Sequence, residues 1–257
     1  MTTSARVERL SIHDNEVKQS DGMANLFRNL VVEFIGDLLF IFIGSLQATS
    51  GTGVVGAALA HGITIAVLIM GMGHISGGHF NPAVTLGIFV SGNIQLIPAL
   101  AYIAAQLLGG FVGSLLVRAV TNDVAYNAIA GGATIVPDST SWIGAIIIEI
   151  LMTYFLVHTV LLTAVDTDSN LLAPLAIGLS ILCDIFAGGN ISGASMNPAR
   201  SLGPCISASI FADHTKLAVG KIWARHYVYW IGPGLGAGIA GLVYKLFLAK
   251  DDARILL

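Results

Sequence analysis

"FNPAVTLGI" (residues 80–88) and "MNPARSLGP" (residues 196–204) contain the same tripeptide, Asn-Pro-Ala, within a chain that is otherwise strongly apolar. Asparagine is a favoured N-cap, and proline is favoured at the first helical position because it lacks an N–H that would be unsatisfied there. Each tripeptide therefore predicts a helix start. Only about ten apolar residues follow each proline, which is too few to cross a bilayer. Since each tripeptide also follows a glycine-rich stretch, we predict two short re-entrant helices, whose first residues are Asn81, Pro82 and Ala83, and Asn197, Pro198 and Ala199.

The composition indicates an integral membrane protein. Of 257 residues, 55% are apolar and only 11% are charged, and the mean hydropathy is +0.81. A membrane span needs roughly 20 mostly apolar residues. Six stretches qualify: 28–48, 53–74, 94–118, 142–164, 171–188 and 226–249. We therefore predict an all-α membrane protein with six transmembrane helices and two re-entrant half-helices.

The chain is internally duplicated. The two asparagines are separated by 197 − 81 = 116 residues, and the same offset places Glu33 on Glu149 and Ser76 on Ser192. Each half contains three predicted spans, and because three is odd the second copy enters the membrane inverted. The predicted organisation is a polar tail (1–27), a channel domain (28–249) with repeats at about 28–120 and 142–249 linked by 121–141, and a short C-terminal tail (250–257).

An inverted repeat with two half-helices favours a particular chemistry at the bilayer midplane. Irregular backbone at that depth is tolerated only where protein buries it or water reaches it. Each half-helix brings the positive end of its dipole to the meeting point, and each asparagine amide adds N–H donors. Such a site repels cations and binds the oxygen of a water molecule. The sequence therefore predicts a pore for neutral solutes that excludes protons and other ions.

Paired Asn-Pro-Ala repeats within six spans, with "SGGHFNPAVT" and "NPARS", closely resemble the aquaporin family over about residues 28–249. The stretches "ALAHG", "HISGGHFNPAV" and "DIFAGGNISGASMNPAR" are most similar to the aquaporin-8 branch, which shares filter residues with plant tonoplast intrinsic proteins. The resemblance implies a passive water channel that assembles as a homotetramer.

The resemblance also implies a selectivity filter on the outer side of the pore, at His61, Ile185, Ala194 and Arg200. Ile185 stands where water-only channels usually carry histidine. With a small alanine nearby, the implied filter is wider and less polar, a combination that accompanies passage of ammonia and hydrogen peroxide in the family. Taken alone, His61 also fits a histidine of the helix core, and Arg200 also fits an arginine that extends to the membrane interface.

Two acidic residues, Glu33 and Glu149, occupy equivalent positions in the repeats and must be hydrogen-bonded or neutral inside a membrane. Proton transport is one interpretation. The resemblance assigns both acids to bracing the re-entrant loops, and His79 is a further candidate for that role. The sequence assigns no role to Asp37 or Asp184.

Several other functions are disfavoured. Cys183 and Cys205 match no metal or redox spacing, no basic run indicates nucleic-acid binding, and no nucleophile, base or metal set converges at one site. We therefore expect neither an enzyme nor a cofactor or metal site, with membrane lipid, water and small neutral solutes as the partners. Basic residues near the termini favour a cytoplasmic location for both ends, and we expect the plasma membrane.

The alternatives to a water channel are a glycerol-type facilitator, a secondary transporter and a membrane scaffold. Glycerol facilitators usually carry aspartate after the arginine of the second motif, where this chain has Ser201. Secondary transporters also use inverted repeats and broken helices, but they need coupling-ion ligands near the midplane. Measurable water flux would distinguish a channel from a scaffold.

Overall fold

The computed structural model describes residues 3–167, 170–250 and 254–256, with side chains described from residue 22 onward. These residues form helices and connecting loops, and no β-strand occurs among them. In chain order the helices are α1 (Thr3–Leu46), α2 (Gly53–Ser76), α3 (Pro82–Ser91), α4 (Leu96–Val120), α5 (Asp123–Ala128), α6 (Trp142–Val160), α7 (Ala173–Gly188), α8 (Pro198–Phe211), α9 (Val219–Trp223) and α10 (Val228–Val243). Short 3-10 turns lie at Gln47–Ser50 and Ala130–Gly132, and π-helical turns extend α6 and α10 at Leu161–Val165 and Tyr244–Leu248.

Five helical segments of the described residues are long and apolar enough to cross a membrane: Gly22–Ser50, Gly53–Ser76, Leu96–Val120, Trp142–Val165 and Val219–Leu248. The sixth predicted crossing corresponds to α7, which has only 16 residues. A helix of that length spans about 24 Å, somewhat less than the hydrocarbon core. Helix α7 packs along α2 and occupies in the second repeat the place that α2 occupies in the first.

The predicted polar tails coincide only in part with the described residues. Residues 1–2, and the side chains up to residue 21, lie outside the described part, and α1 begins at Thr3 rather than at residue 28. Residues 251–253 and 257 of the predicted C-terminal tail also lie outside it. At the described positions of that tail, the backbone N–H groups of Ile255 and Leu256 bond back to Lys245 and Leu246.

The two repeats pack through equivalent helix pairs. Helix α1 packs against α4 in the first repeat, α6 against α10 in the second, and α2 against α7 between them. Gly62 and Gly178 allow the central contact, because a Cβ at Gly62 would lie 2.6 Å from the carbonyl oxygen of Gly178, and one at Gly178 would lie 2.4 Å from that of Gly62. The backbones of α2 and α7 therefore approach each other directly.

The half-helices α3 and α8 each pack against the opposite repeat. Helix α3 contacts α10, and α8 contacts α4. A Cβ at Gly203 of α8 would lie 2.4 Å from the carbonyl oxygen of Gly110 in α4, so only glycine fits this crossing without movement of the backbone. This exchange holds the two Asn-Pro-Ala motifs between the repeats.

Candidate functional site

Both asparagines of the repeated motif cap a half-helix. Asn81 has extended backbone angles, and its side-chain oxygen accepts a hydrogen bond from the N–H of Ala83 at 2.8 Å. Asn197 accepts from the N–H groups of Ala199 (2.9 Å) and Arg200 (3.2 Å). Pro82 and Pro198 are the first residues of α3 and α8. The local chemistry of each helix start is that expected from the tripeptide.

The two caps are joined to each other across the repeats. The Nδ2 atom of Asn81 donates to the carbonyl oxygen of Met196 at 2.9 Å, and that of Asn197 donates to the carbonyl oxygen of Phe80 at 2.9 Å. Phe80 and Met196 both have positive φ angles, 44° and 52°. These unusual conformations belong to the two residues whose carbonyl oxygens the amides bind. The N-termini of the half-helices therefore meet tip to tip.

Glu33 is fully buried and bonds the first re-entrant loop. Its Oε1 accepts from the Ser76 hydroxyl (2.6 Å) and the His79 N–H (3.0 Å). Its Oε2 accepts from the Phe80 N–H (2.7 Å) and the Gln106 side-chain amide (2.8 Å). Four donors thus satisfy a carboxylate that has no access to water.

Glu149, also fully buried, bonds the second loop in the same way. The Ser192 hydroxyl (2.6 Å) and the Ser195 N–H (2.9 Å) donate to Oε1, and the Met196 N–H (2.8 Å) donates to Oε2. The Tyr229 hydroxyl donates to the carbonyl oxygen of Ser192. Tyr102 does the same to the carbonyl oxygen of Ser76 at 2.9 Å in the first loop.

His79 contributes to the first loop through its ring as well as its backbone. The ring Nδ1 lies 3.1 Å from the hydroxyl of Thr85, which also accepts a hydrogen bond from Gln106 at 2.9 Å. This network links His79 to Glu33 through side chains alone. The second loop replaces it with hydroxyl contacts among Ser195, Ser201 and Thr134.

One cavity, with an empty volume of about 630 Å³, is lined by the two motif asparagines, the four filter candidates and His79, but not by Glu33 or Glu149. Both asparagines line it, as do all four candidate filter residues, His61, Ile185, Ala194 and Arg200. Apolar side chains form most of the remaining wall, among them Phe40, Ile65, Val84, Leu156, Val160 and Ile177. A path lined in this way offers a permeating molecule few polar groups outside the asparagines and the filter candidates.

The four filter candidates are held in different ways. The Nδ1 atom of His61 lies 2.9 Å from the carbonyl oxygen of Ala57 on its own helix. Arg200 donates from Nη1 to the carbonyl oxygen of Gly132 at 3.1 Å and forms no salt bridge within the described part of the chain. Ala194 has a positive φ of 47° in the loop before the second asparagine. Ile185, on α7, is buried.

The family model described as "Major intrinsic protein" matches residues 21–244. The chain belongs to the major intrinsic protein family. Aquaporin-8 of Rattus norvegicus is 39% identical over 232 residues, covering 88% of this chain and 84% of the relative. Aquaporin TIP1-2 of Zea mays is 41% identical over 230 residues, covering 84% of each chain. The X-ray structure of the aquaglyceroporin from Plasmodium falciparum superposes with a TM-score of 0.74 at 26% identity, covering 85% of this chain and 95% of that one.

Membership of the major intrinsic protein family establishes several predictions made from the sequence. The chain has the aquaporin fold, with six transmembrane helices and two half-helices, and it is a multi-pass integral membrane protein. Proteins of this family are channels for water and small solutes and are not enzymes.

Two buried acids, Asp37 and Asp184, each have one side-chain oxygen without a hydrogen-bond partner among the described residues. Asp37 lies one turn after Glu33 on α1, and its Oδ1 is 3.5 Å from the Nδ2 atom of Asn197. Its Oδ2, like the Oδ2 of Asp184 on α7, has no hydrogen-bond partner among the described residues. These are the two acids to which the sequence assigned no role.

Sequence reasoning missed Gln106, Tyr102, Tyr229 and Gly132. The tyrosines are 229 − 102 = 127 residues apart, not 116, because the segment that contains α9 lengthens the second repeat by 127 − 116 = 11 residues. A search for a second offset after the asparagines would have paired the tyrosines. Gly132 contributes a backbone carbonyl, which no side-chain pattern indicates.

Proposed function

We propose that this chain is a passive water channel that excludes protons and other ions and also conducts ammonia and hydrogen peroxide. The opposed caps of Asn81 and Asn197 are the observation that carries the proposal. Two N–H donors and two positive helix ends converge where the half-helices meet. A water oxygen that accepts from them turns its hydrogens outward along the path, and this orientation interrupts a chain of proton transfers.

Selection among neutral solutes is proposed to occur at His61, Ile185, Ala194 and Arg200. All four line the same cavity as the asparagines, which supports this assignment. The Arg200 guanidinium keeps its charge and opposes cations. The apolar side chain of Ile185 and the small Ala194 give this part of the cavity fewer polar groups and less bulk, and we propose that ammonia and hydrogen peroxide therefore pass beside water.

Glu33, Glu149 and His79 are proposed to brace the loops rather than to transfer protons. Each glutamate receives two backbone N–H groups of its loop, at 2.7 to 3.0 Å, and an ionised acceptor strengthens such hydrogen bonds. Neither glutamate lines the cavity. An acid in that position holds the loop in shape and does not contact a permeating solute.

A glycerol-type facilitator is the second candidate, favoured by the structural similarity to an aquaglyceroporin. Ser201 follows Arg200 in this chain and is fully buried, bonded to the hydroxyls of Thr134 and Ser195. It is held inside the protein, so the position after the arginine presents no charged group. Glycerol entry at the rate of water would favour this candidate.

We further propose a homotetramer in the plasma membrane, surrounded by lipid and with cytoplasmic termini. One face of α2 supports an apolar contact with lipid or with another subunit, because Val55, Leu59, Ile63 and Val67 recur every fourth residue and are exposed. Native mass spectrometry in detergent would test the tetramer, and accessibility of an epitope added at each terminus would test the orientation.

Reconstituted vesicles test the central proposal. Osmotic shrinkage reports water, an internal pH dye reports ammonia, a peroxide-sensitive dye reports hydrogen peroxide, and valinomycin-coupled pH change reports protons. We expect water, ammonia and peroxide entry above protein-free vesicles, without proton entry. Water flux equal to protein-free vesicles would contradict the channel, and a proton current in the unmodified protein would contradict exclusion.

Arg200→Val is the matched variant for ion exclusion. Position 200 corresponds to Val84 in the first repeat, since 200 − 116 = 84, so the substitution copies the other half of the molecule. We expect water flux to persist and proton or cation leak to increase, because the free positive charge is removed from the path. An unchanged leak would remove Arg200 from the exclusion mechanism.

A further inference from the structure

We propose that Asp37, acting through Asn197, makes the two asparagines unequal donors and thereby favours ammonia relative to water. Asp37 is a positioning residue, because it contacts Asn197 and does not line the cavity. The inference rests on the proposed function, since it concerns the choice between two solutes of that channel.

The hydrogen bonds of the two amides differ. An asparagine amide has two N–H groups, and each Nδ2 uses one for the carbonyl oxygen of the opposite loop. The Nδ2 of Asn197 has a second acceptor nearby, the Oδ1 of Asp37 at 3.5 Å. No second acceptor is found for the Nδ2 of Asn81 in the parts of the chain that the structure describes.

Asp37 is well placed to compete for that N–H. It is fully buried on α1, and Oδ1 accepts a hydrogen bond whether the carboxyl group is ionised or protonated. Glu33, the acid one turn before it, already accepts hydrogen bonds from four other groups and none from Asn197. Asp37 is therefore the acid that contacts Asn197. At 3.5 Å the contact lies at the outer limit of a hydrogen bond, so it is weak and a solute can displace it.

The second repeat has no equivalent of this acid. Position 37 corresponds to 37 + 116 = 153, and Thr153 is a buried threonine whose hydroxyl has no partner among the described residues. A hydroxyl on a shorter side chain carries no charge and reaches less far than a carboxylate. The first asparagine is therefore left with a free N–H, while the N–H of the second is shared with Asp37.

This difference separates solutes by the number of hydrogen bonds that they accept. A water oxygen has two lone pairs and is best satisfied by both asparagines at once. An ammonia nitrogen has one lone pair, so one free donor, from Asn81, is sufficient. Sharing the second donor with Asp37 thus penalises water at the meeting point and leaves ammonia almost unaffected.

The test is the ratio of water to ammonia permeability in reconstituted vesicles, measured for the full chain and for Asp37→Thr, which copies Thr153. We expect the ratio to rise by about threefold, the lower end of what one net hydrogen bond contributes. Asp37→Asn keeps an acceptor oxygen of the same reach and should leave the ratio near that of the unmodified protein. Asp184→Asn changes the other incompletely bonded buried acid, which contacts neither asparagine, and should also leave the ratio unchanged.

The outcomes are distinct. A ratio unchanged in Asp37→Thr, or a parallel loss of both permeabilities in all three variants, would overturn the inference and leave Asp37 a structural group. A rise in Asp37→Asn equal to that in Asp37→Thr would also overturn it, because the acceptor would then be irrelevant. If Asp37→Thr does not assemble, Asp37→Ser makes the same comparison. Absence of ammonia flux in the unmodified protein would contradict the proposed function itself, before any variant is compared.

Discussion

The two re-entrant loops satisfy the same backbone requirements with different surrounding side chains. In both, a buried glutamate receives a serine hydroxyl and two backbone N–H groups, and a tyrosine binds the serine carbonyl. Beyond that shared core they diverge. The first loop is surrounded by an amide and an imidazole, Gln106 and His79, and the second by small hydroxyl groups. Duplication thus preserved the groups that pair the backbone.

Some positions that line the cavity differ between the repeats. Val84 corresponds to Arg200, and Gly78 corresponds to Ala194. All four line the same cavity. A symmetric scaffold therefore carries an asymmetric path, and chemical selectivity is expected where the second repeat departs from the first.

The largest expected difference concerns the two glutamates. Replacing either with glutamine turns one acceptor oxygen into an N–H₂ donor that faces a backbone N–H. In a buried network of this kind, two donors facing each other lower the free energy of unfolding by about 3 kcal/mol. In the first repeat the Gln106 amide can rotate and present its oxygen to the new N–H₂ group. Pro233 stands at the corresponding position of the second repeat, since 106 + 127 = 233, and offers no such group. Glu149→Gln should therefore lower the apparent melting temperature in detergent more than Glu33→Gln.

The double variant Glu33→Gln with Gln106→Leu provides the control for that comparison. It removes the rotating amide, so the first repeat should become as sensitive as the second. Equal melting temperatures for the two single variants would contradict the role assigned to Gln106. Wild-type stability and flux in both single variants would contradict bracing altogether.

The sequence predicted the parts of this site that follow one numerical offset. Asn81, Glu33 and their partners 116 residues later could be found because the distance from glutamate to asparagine is the same in both repeats. Tyr229 does not follow that offset, because 11 extra residues change it to 127, and Gln106 has no counterpart to find, because proline occupies position 233. The contact of Arg200 with Gly132 was also inaccessible, since a distant loop supplies a backbone oxygen. The predicted span 171–188 has the same end as α7, and its start differs by two residues because Leu171 and Leu172 continue the apolar pattern before Ala173.

The next prediction compares Gly203 and Gly87, the glycines at which the half-helices pack against neighbouring helices. A Cβ at Gly203 would lie 2.4 Å from the backbone oxygen of Gly110, whereas one at Gly87 would lie 2.4 Å from a side-chain methyl of Val157. A side chain moves more easily than a helix backbone. Gly203→Ala should therefore lower the free energy of unfolding by about 2 kcal/mol, and Gly87→Ala should lower it by less. Thermal unfolding in detergent measures both. Gly234→Ala, where a Cβ meets nothing within 4 Å, should be close to neutral; a loss there as large as at Gly203 would invalidate the packing argument.

A smaller effect is expected from the turns before the asparagines. Ala194 has a φ of 47°, a left-handed conformation that costs a residue with a Cβ about 1 kcal/mol relative to glycine. Its counterpart Gly78 has a φ of 65° without that cost. Ala194→Gly should therefore raise the apparent melting temperature slightly, and Gly78→Ala should lower it. The reverse order would show that contacts of the alanine methyl, rather than backbone strain, determine this position.

The finest comparison separates Ile185 from Ile69, which are equivalent because 185 − 116 = 69 and which both line the cavity. Only the repeat of Ile185 contributes a charged side chain to the cavity lining, because Arg200 in the second repeat corresponds to Val84 in the first. Ile185→His adds a polar ring to the cavity that the Arg200 guanidinium also lines. The ring narrows the cavity and gives water another hydrogen-bond partner, and filter selectivity depends on both properties. The ratio of ammonia to water permeability should fall by about threefold, the effect of roughly one added hydrogen bond. Ile69→His adds the same ring in apolar surroundings and should leave the ratio near that of the unmodified protein, although total flux can fall.

Both variants are measured at equal protein per vesicle, with internal pH and osmotic shrinkage followed together. A fall of the same size in both would mean that any polar ring in the cavity has this effect, and the ratio would then not depend on position 185.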